Sequence, residues 1–388
     1  MGKKENAMPI ERTELLRALE SVVSAAPGNP SLPILSTVAL IAHDGRLIAR
    51  CTDLDISIAT TAKMMMQATG DLTLVNDEWS ICLPAAKLLE LVKVFDDGEI
   101  RVEAEVDRVT LHTANGKYKL AGMDAEDFPA DSKMDSNQQI EFSPEEAEVF
   151  GEALNKVVFA ASTDTATRTI LTGVHMKASG GSLMLRATTG YMAAMCRIPA
   201  AGEMDIVVPA KAGIQKIIRM CKSGEPVVVR WKDAFLECES GPTRLDCRLL
   251  EGIYPDVERI IPEHTTKVTC NVAELRGVVL RNLSMADENS ALRCEIAGSE
   301  VTMSAQSGAK ATQATETVAV KTEGKETVVS LSCKYLLDVL KRIDSEEVVW
   351  MIKGPMDAML LKPADNEDQR FVIMPMRGPK SDHEEADG

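Results

Sequence analysis

His43-Asp44-Gly45-Arg46-Leu47-Ile48-Ala49-Arg50-Cys51-Thr52 is a chain that turns at a glycine and returns as an alternating strand, and the sequence writes it three times. The second copy is Ser179-Gly180-Gly181-Ser182-Leu183-Met184-Leu185-Arg186-Ala187-Thr188, and the third is Ile296-Ala297-Gly298-Ser299-Glu300-Val301-Thr302-Met303-Ser304-Ala305. A second marker, Asp107-Arg108-Val109, recurs as Asp233-Ala234-Phe235 and Asp357-Ala358-Met359, at steps of 126 and 124 positions. That period is too long for a solenoid and fits a whole domain. Three similar domains in one chain point to a pseudo-symmetric assembly, and symmetric assemblies usually close.

Each third orders its parts alike: a helix, short strands, a second helix, more strands. The first helices are expected over Arg12–Val23, Pro144–Ala160 and Val272–Leu283, the second over Pro84–Phe95, Pro209–Met220 and Ser332–Ile343. Pro84 and Pro209 suit a first helical turn, where the missing N–H costs nothing, and Ser332 suits an N-cap. Alternation at Ile100/Val102/Ala104, Val227/Val229/Trp231 and Val348/Trp350/Ile352 predicts strands, separated by turn signals such as Asp97-Gly98 and Asn115-Gly116. The class is α+β, with two helices on antiparallel sheet per domain. The polar stretches Pro129–Gln139 and Pro262–Lys267 are the expected boundaries.

Composition fits a soluble globular protein: 388 residues, 45% hydrophobic and 26% charged. No apolar run approaches the ~20 residues of a membrane helix, and no signal-like segment follows Met1, so a cytoplasmic location is expected. Nine cysteines, without a Cys-x-x-Cys pair, read as small buried hydrophobes kept reduced. The five histidines are scattered, so no metal site is expected.

A net charge of −16 argues against phosphate binding unless the positive charges are gathered. They are. On a helical wheel, Lys211, Lys216, Arg219 and Lys222 span roughly 140° with no apolar residue among them, and that helix contains no Asp or Glu. The third-domain counterpart carries Lys334, Lys341 and Arg342 around a single Asp338, Arg276 and Arg281 lie on the preceding helix, and Lys87 and Lys93 are diluted by Glu90. Acid-poor helices at one repeated position in an acidic chain predict a positive lumen that holds a phosphate backbone without base contacts.

The chain resembles the bacterial DNA polymerase III beta subunit family, the sliding clamps, from about Met8 to Arg377. Carrying the resemblance are Ser31-Leu32-Pro33-Ile34-Leu35, Thr52-Asp53-Leu54-Asp55, Asp127-Phe128-Pro129, Tyr254-Pro255-Asp256, Tyr335-Leu336-Leu337-Asp338-Val339-Leu340 and Val372-Ile373-Met374-Pro375-Met376-Arg377. The resemblance implies three clamp-type domains at 8–137, 138–262 and 263–377, between an N-terminal extension (1–7) and a disordered acidic tail (378–388). It implies a head-to-tail homodimer forming a six-domain ring. The expected function is a non-catalytic processivity factor that encircles duplex DNA and tethers the polymerase III catalytic subunit. An ATP-dependent loader and other clamp-binding-motif proteins are further expected partners, and no cofactor or membrane is. A protein-interaction scaffold that never meets DNA is the alternative.

By the same resemblance, partner peptides dock in a groove built from Leu171, Thr188, Gly190, Tyr191, Met192, Ala193, Pro255, Arg259, Ile260, Ser332, Tyr335, Val372, Ile373, Met374, Pro375, Met376 and Arg377. Lys87, Lys211, Lys216, Arg219, Lys222, Arg276, Arg281, Lys334 and Lys341 would face DNA. Tyr118 and Leu120 would meet Leu283 at the dimer seam. Where the family usually has Asp-Gly-His-Arg-Leu, this chain has Thr189-Gly190-Tyr191-Met192-Ala193, which implies altered reading of partner peptides. The chain carries no Walker-type loop, no Gly-x-Ser-x-Gly and no His-Glu-x-x-His. Asp53 and Asp55 could in principle hold a metal, but the middle-domain equivalent is Thr189, so a structural role is expected.

Overall fold

The computed structural model describes residues 7–64, 78–130, 134–261, 263–307 and 311–376. The first repeat runs β1 (Ala7–Glu11), α1 (Arg12–Val22), β2 (Thr37–His43), β3 (Arg46–Thr52), β4 (Ile56–Lys63), β5 (Trp79–Pro84), α2 (Ala85–Lys93), β6 (Glu99–Ala104), β7 (Arg108–Thr113) and β8 (Gly116–Ala121). The middle repeat follows as β9 (Gln139–Phe142), α3 (Pro144–Val157), β10 (Gly173–Ser179), β11 (Ser182–Thr188), β12 (Met192–Pro199) and β13 (Met204–Pro209). It continues with a π turn (Ala210–Ile214), α4 (Gln215–Met220), β14 (Val227–Lys232), β15 (Phe235–Ser240) and β16 (Thr243–Arg248). The third runs β17 (Thr266–Asn271), α5 (Val272–Met285), β18 (Ala291–Ala297), β19 (Glu300–Ser307), β20 (Thr312–Ala319), β21 (Lys321–Gly324) and β22 (Thr327–Ser332). It ends with α6 (Cys333–Leu340), β23 (Glu347–Ile352), β24 (Met359–Pro363) and β25 (Gln369–Ile373).

The quoted hairpins form as written. Asp44 and Gly45 take φ of 49° and 69°, Gly180 and Gly181 take 57° and 81°, and such paired left-handed residues match the twist of two-residue hairpins. Capping fixes several helix starts. Ser143 and Glu146 form a reciprocal capping box on α3 (2.8 and 3.3 Å), Asn271 caps α5 through Glu274 N (3.0 Å), and Ser332 caps α6 through Tyr335 N. Each such cap contributes about 1 kcal/mol. The helix expected over Pro209–Met220 differs from the reading: its first turn is wound as π, so an α-helical wheel misplaces Lys211 relative to Lys216.

Two compact units emerge, and they cut across the sequence repeats. The first holds residues to Glu148 together with Gln215–Leu249. It contains a four-stranded sheet, β1-β6-β7-β8, and an eight-stranded sheet, β5-β2-β3-β4-β16-β15-β14-β9. The second holds Val149–Ile214 and the chain from Leu250, with a nine-stranded sheet, β13-β10-β11-β12-β25-β24-β23-β17-β21, and a four-stranded sheet, β20-β19-β18-β22. The strands of the middle repeat are thus divided between two large sheets. β16 pairs antiparallel with β4 (Cys247 opposite Ile56), and β12 pairs antiparallel with β25 (Met192 opposite Ile373).

Helices pack in pairs over these sheets. In the first unit α1 buries Leu15, Ala18, Leu19 and Val22, and its neighbour α2 buries Ala85, Leu88 and Val92. In the second, α5 and α6 pack together, burying Leu275, Val278 and Val279 from one and Leu336, Leu337, Val339 and Leu340 from the other. A device absent from the sequence reading joins each pair. Arg12 donates to the Val92 and Lys93 carbonyls at the end of α2 (3.1 and 2.8 Å), and Arg276 donates to the Leu340 carbonyl at the end of α6 (2.7 Å). A cation there satisfies orphan carbonyls and complements the helix dipole.

Candidate functional site

Several of the expected groove residues lie at the turn between β11 and β12. Thr188 Oγ1 donates to the Met192 carbonyl (2.7 Å) and accepts from Gly190 N (2.9 Å). Thr189 Oγ1 accepts from Tyr191 N and Met192 N (3.2 and 3.1 Å). The first repeat builds the same turn from different atoms. Thr52 Oγ1 donates to the Ile56 carbonyl (2.6 Å) and accepts from Leu54 N (3.0 Å), while Asp53 Oδ1 accepts from Asp55 N and Ile56 N (3.0 and 2.8 Å). Asp53 is therefore engaged as a turn acceptor. Among the described residues no group of three or more His, Cys, Asp or Glu could hold a metal. Thr189 does with a hydroxyl what Asp53 does with a carboxylate, so the departure at this position leaves the turn intact. It leaves Tyr191 67% exposed.

The chain end closes on that turn. Met374 N donates to the Tyr191 carbonyl (2.9 Å), and Met376 N donates to the Ser330 carbonyl (2.9 Å). The segment between β16 and β17 adds a third side: Val257 and Ile261 pack on Ala193, Met195, Leu360, Val372 and Met374. The expected groove residues divide into two groups. Leu171, Thr188, Met192, Ala193, Ser332, Val372 and Ile373 are buried, so they offer little contact area. Gly190, Tyr191, Pro255, Arg259 and Ile260 are exposed, and Tyr335, Met374, Pro375 and Met376 are half-buried, so these offer contact area. Arg259 pairs with Asp256, on its own turn (3.0 Å). Arg377 lies outside the described residues, as do most of the N-terminal extension and the whole acidic tail.

The basic residues also divide. In the first unit Arg219 and Lys222 are exposed, and among the described residues neither has a carboxylate within ion-pair distance. Lys216 is half-buried and donates to the Ser24 carbonyl (3.3 Å); burial, then repulsion from Arg219, lowers its pKa, and Asp53 opposes this. Lys87 pairs with Glu90 (3.1 Å). In the second unit Lys211 is exposed and likewise without a carboxylate partner among the described residues, and Lys334 reaches the Glu288 carbonyl (3.4 Å). Arg281 is held by Glu316 (2.6 Å), and Lys341 by Asp338 (3.4 Å). Arg276 is half-buried and engaged in capping α6. Sequence reading missed Glu316 because it stands on β20, far along the chain from the helix it neutralises.

Two sheet edges bear on the expected seam. β8 is the edge of its sheet, exposed along most of its length, with the Tyr118 ring against Phe95 (centroids 4.7 Å apart) and Leu120 half-buried. In the second unit β20 is an edge, and the adjoining α5 carries half-buried Leu283 between exposed Leu280 and Met285. Uncovered edges are ready templates for pairing with another chain.

Residues 7–132, 146–256 and 258–377 match, in order, the N-terminal, central and C-terminal domains of the DNA polymerase III beta subunit. The chain belongs to that family. The beta sliding clamp of Haemophilus influenzae is 25% identical over 378 residues, covering 95% of this chain and 99% of the relative. That of Escherichia coli K12 is also 25% identical, with the same coverage. Among solved structures, the Pseudomonas aeruginosa clamp bound to griselimycin shares 24% identity at a TM-score of 0.88, over 96% of this chain and all of that one. The C. crescentus clamp shares 26% at 0.86, over 96% and 99%. The beta subunit is a processivity factor and carries no catalytic activity of its own. No helix among the described residues is long and apolar enough to cross a membrane.

Proposed function

We propose that this chain acts in the cytoplasm as a DNA sliding clamp: two copies, joined head to tail, encircle duplex DNA and hold a polymerase to it. The observation that carries the DNA part is that the exposed cations Lys211, Arg219 and Lys222 have no carboxylate partner among the described residues, in a chain of net charge −16. Sequence-independent phosphate contact needs free cations and nothing more. Lys334 joins them, whereas Lys87, Arg281 and Lys341 act weakly because a carboxylate already neutralises each. The domains are assigned to 8–137, 138–262 and 263–377. Their seam is assigned to the β8 edge, with Tyr118 and Leu120, meeting Leu283 and its neighbours in the second copy.

Partner peptides from the polymerase, the ATP-driven loader and other clamp-binding proteins are assigned to the surface formed by Gly190, Tyr191, Pro255, Arg259, Ile260, Tyr335 and Met374–Arg377. Tyrosine and methionine there make an adaptable apolar surface with Arg259 at its rim. The test is topological. Protein loaded onto nicked circles should stay bound in high salt and leave when the circle is linearised. Equal retention on both forms contradicts encirclement, and no retention on either favours the scaffold that never meets DNA.

A further inference from the structure

The segment between the middle and third repeats is fastened to the nine-stranded sheet at two polar points. His175 on β10 stacks its ring on Tyr254 (centroids 4.9 Å apart, planes at 25°). Arg186, directly opposite His175 on β11, reaches Glu258 Oε1 (3.1 Å). The imidazole is fixed from behind, Nε2 to Asp205 Oδ1 on β13 (2.7 Å), and its other nitrogen, Nδ1, is buried without a hydrogen-bond partner among the described residues. Tyr254 is also largely buried, its hydroxyl against the backbone of Thr188, the residue that opens the groove turn. Val257 and Ile261 add apolar contact to the same sheet face. Pro255, Arg259 and Ile260 therefore stand between fixed points.

We propose that the His175–Tyr254 stack and the Arg186–Glu258 pair form a clasp that acid opens, and that they position the Pro255, Arg259 and Ile260 side of the partner groove. The idea rests on the groove assignment above. A proton added to the imidazole goes to Nδ1, which has no acceptor. It also places a cation beside Arg186 and Lys177, with Asp205 the single carboxylate in contact among the described residues and Glu258 already engaged by Arg186. Burial, the largest cause, accordingly lowers the His175 pKa below its ordinary value despite Asp205. The sign follows. The closed segment prefers neutral His175 and the open one titrates near the ordinary 6.5 or so. Closure is therefore fully favoured above that value and weakens as pH falls below it. His175, Arg186, Tyr254 and Glu258 are positioning residues in this account.

The experiment has two arms on the full-length protein. In the first, amide hydrogen exchange is followed without ligand and corrected for the intrinsic effect of pH. Residues 254–261 should lose protection on going from neutral to mildly acidic buffer, while β25 does not. His175→Phe, which keeps a ring but cannot titrate, should abolish that change. Tyr254→Ala should expose the segment at neutral pH, and Tyr254→Phe should restore it. In the second arm the probe is labelled griselimycin, which is bound in the similar P. aeruginosa clamp. Tyr254→Ala and acid should each weaken binding about tenfold, and His175→Phe should flatten the pH profile. Identical exchange and pH profiles in wild type and His175→Phe overturn the clasp. If Tyr191→Ala and Met374→Ala leave griselimycin binding unchanged, the groove assignment fails instead, and the exchange arm still decides the clasp.

Discussion

Alanine at Lys211, Arg219 and Lys222, singly and together, is the perturbation that bears hardest on DNA binding. Each cation that neutralises a phosphate contributes about 0.9 to the slope of log K against log salt. The three are exposed and without carboxylate partners among the described residues, so the triple variant should lower the slope by about 2.7, three times that unit. Arg281 supplies the internal control. It is as exposed and as basic, but Glu316 accepts from it at 2.6 to 3.2 Å, so its charge is already compensated. Arg281→Ala should leave the slope nearly unchanged, whereas Glu316→Gln should raise it toward one further unit. The assay is fluorescence anisotropy of a short labelled duplex over a low-salt range, where the unloaded protein binds weakly but measurably. Should Arg281→Ala cost as much slope as Arg219→Ala, ion pairing does not sort these residues, and the reasoning fails. A triple variant with the wild-type slope would remove these three residues from DNA contact altogether.

Other outcomes follow from burial. All nine cysteines are buried and burial pushes their thiols up, Cys196 to about 11 and Cys221, Cys247, Cys270 and Cys333 to about 12. Ellman's reagent at mildly alkaline pH should find essentially no thiol in the native protein and all nine after denaturation. Phe371→Ala should cost about 3–5 kcal/mol in chemical unfolding, because its fully buried ring would leave a cavity. Deleting Met374–Arg377 should abolish polymerase stimulation while sedimentation still reports a dimer; a monomeric product would place those residues at the seam instead.

Repeats, helix positions and the antiparallel α+β class were legible because each rests on a local signal: turn glycines, periodicity, an N-cap serine. What the sequence concealed is long-range. No local pattern says that β16 joins β4 or that β12 joins β25, so the two compact units cut across the repeats. The basic surface was legible as composition but not as energetics. Glu316 compensates Arg281 from 35 positions away, and Arg276 is spent on the end of α6. The groove residues were named only by resemblance, and which of them are buried and which exposed came from the structure. The π turn at Ala210–Ile214 escaped because a helical wheel assumes the winding it is used to detect.

The two strand junctions form a natural experiment on how much of the groove is frame and how much is recognition. At one, Arg248 N donates to the Asp55 carbonyl (2.9 Å), one position beyond the Cys247–Ile56 pair. At the other, Met374 N donates to the Tyr191 carbonyl (2.9 Å), one position beyond the Ile373–Met192 pair. The left-handed turn residues also correspond, Leu54 at φ 80° and Gly190 at 91°. Backbone and turn are the same, but Asp55 and Arg248 occupy the positions that Tyr191 and Met374 hold. The frame thus tolerates a charged pair at these sites. Tyr191→Asp with Met374→Arg should therefore fold and dimerise, at a cost of about 1 kcal/mol, since Met374 packs on the apolar cluster but arginine can lay its stem there and keep its head in water. Binding of a partner peptide, proposed to depend on the apolar surface rather than the frame, should be lost. Binding that survives the exchange would mean that the backbone, not the side chains of Tyr191 and Met374, does the recognising.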